Sequence, residues 1–198
     1  MRNIRLYAMA AMLLFALSAC DNGSSSKTGT ISDAELTERE KAILEATANQ
    51  SFVFDFNAGD EYKELAVWVE KYESGKLVGE VNHISMELKN KGTIIFATSN
   101  TAEESDQAIF TVSISSGGST GSSWNAETVP NEHLGALWGS NHVGEISAGK
   151  KLVLASILYS DSEDGISTLS TGFNHDMESH MDELKNYDVV YLLRSEFK

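Results

Sequence analysis

The chain reads as an antiparallel β-sandwich, immunoglobulin-like or jelly-roll-like, of about seven or eight strands, with an N-terminal helix and a short helix before the last strand. Three observations predict it. From Phe52 onward the apolar residues recur at every second position, the period of a strand with one buried face. The apolar runs are separated by turns carrying Gly75 and Gly92. Few stretches of helical spacing lie between the runs, and Pro130, the single proline, falls outside every one of them.

The elements follow in order. Arg2 and Arg5 precede an apolar segment over residues 6–17 and the small pair Ser18-Ala19, the three parts of a cleavable secretory leader over 1–19. That segment is shorter than the roughly 20 residues that a helix needs to span a bilayer. Residues 20–32 are small and polar, starting Cys20-Asp21-Asn22-Gly23, and read as a tether. A helix is expected over 33–49, opened by Ser32-x-x-Glu35 as a capping box, with Leu36, Ile43 and Leu44 on one face and an ion pair from Glu35 to Arg39.

The sandwich itself is expected over 50–198. Phe52, Phe54 and Phe56 alternate with Val53 and Asp55; Leu65, Val67 and Val69 alternate with Trp68, Glu70 and Tyr72. Ser74-Gly75 turns the second run into 77–81, and Asn90-Lys91-Gly92 separates 84–88 from 93–98. Ala108, Phe110, Val112 and Ile114 alternate again, 152–159 is apolar enough for a central strand, and 189–193 closes the sheet. Residues 176–185 revert to helical spacing, with Met177, Met181 and Leu184 on one stripe.

Composition narrows the function. Removing Arg2 and Arg5 with the leader takes the 15 basic side chains to 13 against 29 acidic ones, and the net charge from −14 to −16. Nucleic acid is excluded as a partner, because phosphate binding needs a basic stripe that is absent here. Cys20 is the only cysteine, so neither a disulfide nor a second thiol is available.

Candidate sites compete with plainer readings. Gly117-Gly118-Ser119-Thr120-Gly121 matches G-x-S-x-G, but no helical pattern follows Ser119 as a nucleophile elbow requires. Asp176, His180 and Glu183 at i, i+4 and i+7 share a helical face and suit a divalent metal, yet they also border an apolar stripe. Ser160-Asp161-Ser162-Glu163-Asp164-Gly165 has the Asp-Gly of a calcium loop, with serines at its first and third positions and Thr171 where a glutamate belongs. Trp68 and Tyr72 are either a ligand platform or core, and core is the preferred reading. Trp124, Trp138, Asn141 and His142 fall between Ile114 and Lys151, a stretch that either hides strands or holds a binding loop. His83 and His133 receive no chemistry, and no catalytic residue, metal ligand or cofactor is assigned.

Leu17-Ser18-Ala19-Cys20 at the end of the leader resembles a bacterial lipoprotein signal. The resemblance implies cleavage before Cys20, lipid attachment to its sulfur, palmitate-like acyl chains and an extracytoplasmic, membrane-anchored location. Asp21 matches the inner-membrane retention position of Gram-negative lipoproteins. The mature region resembles small lipoproteins of low-GC Gram-positive bacteria in Trp68-Val69-Glu70-Lys71-Tyr72, Leu154-Ala155-Ser156 and Tyr187-Asp188-Val189-Val190-Tyr191-Leu192-Leu193. The expected function is therefore a lipid-anchored binding or envelope-accessory protein with a protein or carbohydrate ligand; the competing expectation is an envelope hydrolase or metal-dependent enzyme using Ser119 or the Asp176, His180 and Glu183 cluster.

Overall fold

The structure, a computed structural model, describes residues 29–100, 107–130, 134–141, 144–163 and 165–198. Two antiparallel sheets make up the expected mainly-β sandwich. One contains β1 (Gly29–Asp33), β2 (Gln50–Gly59), β5 (Asn90–Asn100), β6 (Gln107–Ser116), β7 (Ser119–Thr128) and β9 (Glu145–Ile146), in the order β7-β6-β5-β2-β1-β9. The other contains β3 (Glu64–Glu73), β4 (Lys76–Glu87), β8 (Gly135–Ser140), β10 (Lys151–Ser160) and β11 (Val189–Phe197), in the order β4-β3-β11-β10-β8. Helix α1 (Glu38–Thr47) joins β1 to β2, while α2 (Thr171–His175) and a 3-10 helix (Glu178–Asn186) lie between β10 and β11.

The alternation seen in the sequence becomes the core between the sheets. Phe52, Phe54 and Phe56 on β2, Ile94 and Phe96 on β5, and Phe110, Val112 and Ile114 on β6 face Leu65, Val67 and Val69 on β3 and Tyr191, Leu193 and Phe197 on β11. Each such burial stabilises the fold by about 1.5–3 kcal/mol. Gly92 sits inside β5 opposite Phe56 because a Cβ there would come within 2.1 Å of the Ser115 carbonyl and 2.5 Å of the Phe56 ring. It is thus a packing glycine, and the left-handed residue at the preceding corner is Asn90, with φ of 60°. That corner carries the chain from one sheet to the other, so it is not a hairpin.

Several boundaries differ from the sequence expectation. Residues 77–81 and 84–88 belong to one strand, β4, kept continuous by a bulge against Val69 and Glu70 that puts both Val81 and Asn82 on the core side. Ser32 is not a helix cap but lies in β1, paired with Asp55. The helix starts five residues later, where Thr37 accepts from the Glu40 amide and the Glu40 carboxylate accepts from the Thr37 amide at 2.7 Å, a complete capping box. The helical ion pair runs from Lys41 to Glu38, the (i, i+3) pair brought together by that later start. Strand β1 also takes residues 29–33 out of the expected tether and helix.

The five-stranded sheet has a second buried face. Tyr72, Val153, Leu158, Val190 and Leu192 pack under Leu169, Phe173, Leu184 and Tyr187 from the helical segment, with Met177 and Met181 at the edge. Trp68 and Arg194 share this face and are 4% and 7% exposed. At its centre Glu70 accepts from the Trp68 indole N–H at 2.9 Å, the Tyr72 hydroxyl at 2.8 Å and Arg194 Nη1 at 2.9 Å. Arg194 also donates through Nε to the Leu152 carbonyl at 3.3 Å and through Nη1 to Met177 Sδ at 2.7 Å. A buried pair of this kind needs its extra hydrogen bonds, since desolvation otherwise exceeds the Coulomb attraction.

Two outcomes are expected. Arg194→Met strands the Glu70 carboxylate and lowers unfolding free energy by about 3–5 kcal/mol, and adding Glu70→Gln recovers a large part of the loss; chemical denaturation of the single and double variants reads both. Equal stability of Arg194→Met and the parent chain contradicts the network. Burial, the first cause in each case, raises the phenols of Tyr72, Tyr159 and Tyr191 above the ordinary value near 10. Their neutral forms are held in the fold while unfolded phenols ionise, so stability is intact below pH about 10 and falls above it. Alkaline titration followed by phenolate absorbance and circular dichroism should show these rings ionising only as the fold is lost; ionisation near pH 10 with the fold retained contradicts the burial.

Candidate functional site

Among the described residues, the outer face of the six-stranded sheet carries no second buried cluster like the one on the five-stranded sheet; α1 touches β2 but buries none of its own residues. The side chains of this face are set by the same two-residue period that builds the core: wherever Phe54, Ile94 and Ile114 point inward, Val53, Ile95 and Ser113 point out. The rows across the strands mix hydroxyls with a few apolar side chains and are wholly polar only in the third. Ser51, Ala97, Thr111 and Trp124 form one row; Val53, Ile95, Ser113 and Ser122 the next; Asp55, Thr93, Ser115 and Thr120 the third. Hydroxyls pair along them, Ser113 with Ser122 at 2.7 Å and Thr120 to Ser115 at 3.1 Å, while Thr93 donates to Asp55 at 2.7 Å.

Where β1, β2 and β5 meet, this face forms a groove of about 480 Å³ lined by Thr30, Ser32, Asp55, Asn57, Lys91 and Thr93. Trp124, on edge strand β7, is 68% exposed on the same face. It lies two strands and four residues from Thr93 in the pairing, about 10 Å across and 13 Å along, or roughly 17 Å in all. An extended polar ligand of that length reaches both, with its hydroxyls bonded in the groove and one flat face on the indole.

The stretch between Ile114 and Lys151 resolves into strands β7, β8 and β9 rather than a long loop. Trp138 lies on β8 opposite Ile157 and is 48% exposed at the edge of the sandwich. Asn141 is an anchor of that edge, donating to the Val153 carbonyl at 2.9 Å. Tyr72 is core under the helical segment and Trp68 is buried against the His83 ring and the Lys151 side chain, so neither offers a platform. Cys20, Asp21, His133, His142 and Asp164 lie outside the described residues.

Ser119 is the first residue of β7, entered from a two-residue hairpin whose Gly117 and Gly118 take φ of 57° and 83°. A strand follows it where an elbow would place a helix, and no imidazole is bonded to it among the described residues. The Asp176, His180 and Glu183 trio is spread by local capping. Asp176 ends α2 ahead of the 3-10 helix and accepts from the Ser179 hydroxyl at 2.6 Å, a bond that also holds its carboxyl below the usual range. His180 Nδ1 bonds the Asp176 carbonyl at 2.8 Å, and Glu183 accepts from the Ser170 amide at 2.9 Å and hydroxyl at 2.5 Å. Among the described residues no group of three or more His, Cys, Asp or Glu side chains is placed to hold a metal. In the acidic loop, Asp188 accepts from the Asp161 amide at 2.9 Å, and Gly165 closes a turn onto the Ser162 carbonyl at 3.1 Å.

His83 has a partner that the sequence reading did not find. Its ring stacks on Trp68 at 5.7 Å and its Nδ1 meets Glu80 at 3.0 Å, although three residues along a regular strand point to opposite faces. The β4 bulge supplies the missing half-period and turns both side chains the same way. No feature of the alternation alone marks that bulge.

Comparison with known proteins gives one match and two blanks. No curated protein and no solved structure matches the chain. Residues 30–197, which span β1 to the last residue of β11, match the family model described as the YgaN domain, and the chain belongs to that family.

Proposed function

We propose that this chain is a lipid-anchored, extracytoplasmic, non-catalytic binding protein whose ligand lies across the open face of the six-stranded sheet, and that the ligand is a carbohydrate chain. The observation that carries the reading is the coexistence of a polar groove and an exposed Trp124 on a sheet face without a second buried cluster, while the other sheet is buried on both sides. Hydroxyls, an amide and a carboxylate are the groups that recognise sugar hydroxyls, and an indole stacks on the apolar face of a sugar ring. The leader ending at Cys20 supports the anchor. Only residues 21–28 lie between Cys20 and β1, so the sandwich stands within about 30 Å of the lipid whatever their conformation. The described residues contain no helix long and apolar enough to cross a membrane, so an anchor of this chain rests on Cys20 in the proposal.

Two measurements test it. Mass spectrometry of the protein from its native membrane should find the chain starting at Cys20 with a diacylglyceryl thioether; an unacylated chain beginning at Met1 contradicts the anchor. The affinity for purified cell-wall glycan, read by co-sedimentation, should fall about five- to tenfold in Trp124→Ala, one lost stacking contact being worth about 1–1.5 kcal/mol. Unchanged sedimentation in Trp124→Ala, or capture of a protein partner with no glycan retained, removes the carbohydrate assignment.

A further inference from the structure

We propose that the cleft between the β9–β10 turn and the start of the 3-10 helix binds a small oxyanion, a phosphate or carboxylate group. The cleft holds about 330 Å³ and opens on the side of the molecule formed by Gly149, Lys150 and Lys151 on one wall and His175 and Met177 on the other, with Arg194 in its lining. This is the size of a small-ligand pocket.

Three cations converge there in a chain with a net charge of −14. Arg194 is fixed from below: Glu70, the Leu152 carbonyl and Met177 Sδ engage its Nε and Nη1, and no hydrogen bond with a described residue engages Nη2. A guanidinium presents a rigid fork of donors, so fixing one edge orients the other without further loss of side-chain freedom. Lys150 and Lys151 are exposed and neither makes a salt bridge with a described residue. Lys151 instead rests its ammonium 5.7 Å from the centre of the Trp68 ring. The turn that carries Lys150 and leads into Lys151 is closed by the Lys150 amide on the Ser147 carbonyl at 3.1 Å and the Gly149 amide on the Phe197 carbonyl at 3.1 Å, so the pair is presented by an anchored backbone.

Asp176 and Glu178 line the same cleft and set its selectivity. The Asp176 carboxylate is turned to Ser179, bonded at 2.6 Å, and stands near Lys150. An anion that enters therefore needs at least two oxygens to bridge the lysines and the guanidinium, because a single charge gains little over the carboxylates already there. Phosphate and carboxylate both meet that requirement; a halide does not.

The test is titration of the isotopically labelled full chain with inorganic phosphate and, separately, with succinate, at constant ionic strength, followed by amide and indole NMR signals. Saturable shifts are expected at Gly149, Lys150, Lys151, Met177 and the Trp68 indole, with a Kd of about 1 mM or tighter for at least one of the two anions, and none at the Trp124 indole on the other sheet. Lys150→Gln/Lys151→Gln, one on the exposed turn and one at the exposed first position of β10, should weaken binding at least about tenfold with the fold unchanged. Saturation by phosphate alone or succinate alone supports the site and names the oxyanion. Saturation by neither, or equal binding by the double variant, overturns it. Loss of glycan sedimentation leaves this result untouched, since the two sites share no residue.

Discussion

Burial of the five-stranded sheet on both faces is the constraint from which the other features follow. A sheet in a sandwich ordinarily buries one face and wets the other, and its strands alternate accordingly. Here β3, β10 and β11 are apolar on both sides, and the outer side is closed by α2 and the 3-10 helix through Phe173, Leu184 and Tyr187. Closing it placed a cation and an anion out of water. Glu70 and Arg194 are accommodated because partners are at hand for the carboxylate and for one edge of the guanidinium: an indole, a phenol, a carbonyl and a thioether. The pair spans adjacent strands, so it also fixes the register of β3 on β11, where Glu70 stands opposite Leu192 and Trp68 opposite Arg194.

The asymmetry between the sheets organises the surface. With the helical segment used on one side, the six-stranded sheet keeps an open face of paired hydroxyls, a polar groove and Trp124. Its edge strand β7 is nearly devoid of apolar side chains, and Ser, Thr and Asn fill it without inviting another strand as a hydrophobic edge would. On the opposite side of the molecule, the helical cover ends beside a lysine-bearing turn and leaves the cleft over Arg194. Strands carry the open face and its groove, while the cleft is framed by a hydrogen-bonded turn and the helical segment over Arg194 of β11.

How far the sequence shows this depends on whether a feature is written in hydrophobic period. Phe52, Phe54 and Phe56, or Ala108, Phe110, Val112 and Ile114, announce their strands because each buries one face in the shared core. The near-continuous run over β10 likewise marks a strand buried twice. β7 and β8 are invisible by this measure: Ser-Thr-Gly-Ser-Ser-Trp-Asn and Gly-Ala-Leu-Trp-Gly-Ser carry their pairing in backbone hydrogen bonds that leave no side-chain pattern. For α1, Ser32-x-x-Glu35 satisfies the capping-box pattern in the sequence, yet pairing of β1 with β2 makes Ser32 strand and leaves Thr37 as the cap. The candidate site was legible in part, through Trp124. The groove was not, since Thr30, Asn57 and Lys91 come together only by strand order, and neither was the Glu80–His83 contact made by a bulge.

Native-state hydrogen exchange measures the central asymmetry most directly. If the doubly covered sheet holds the fold together, amides of β3 and β11 around Val69, Leu192 and Leu193 exchange only through global unfolding, while amides of β7 around Trp124 exchange through local opening at much lower free energy. Exchange of β11 as fast as that of β7 contradicts the account.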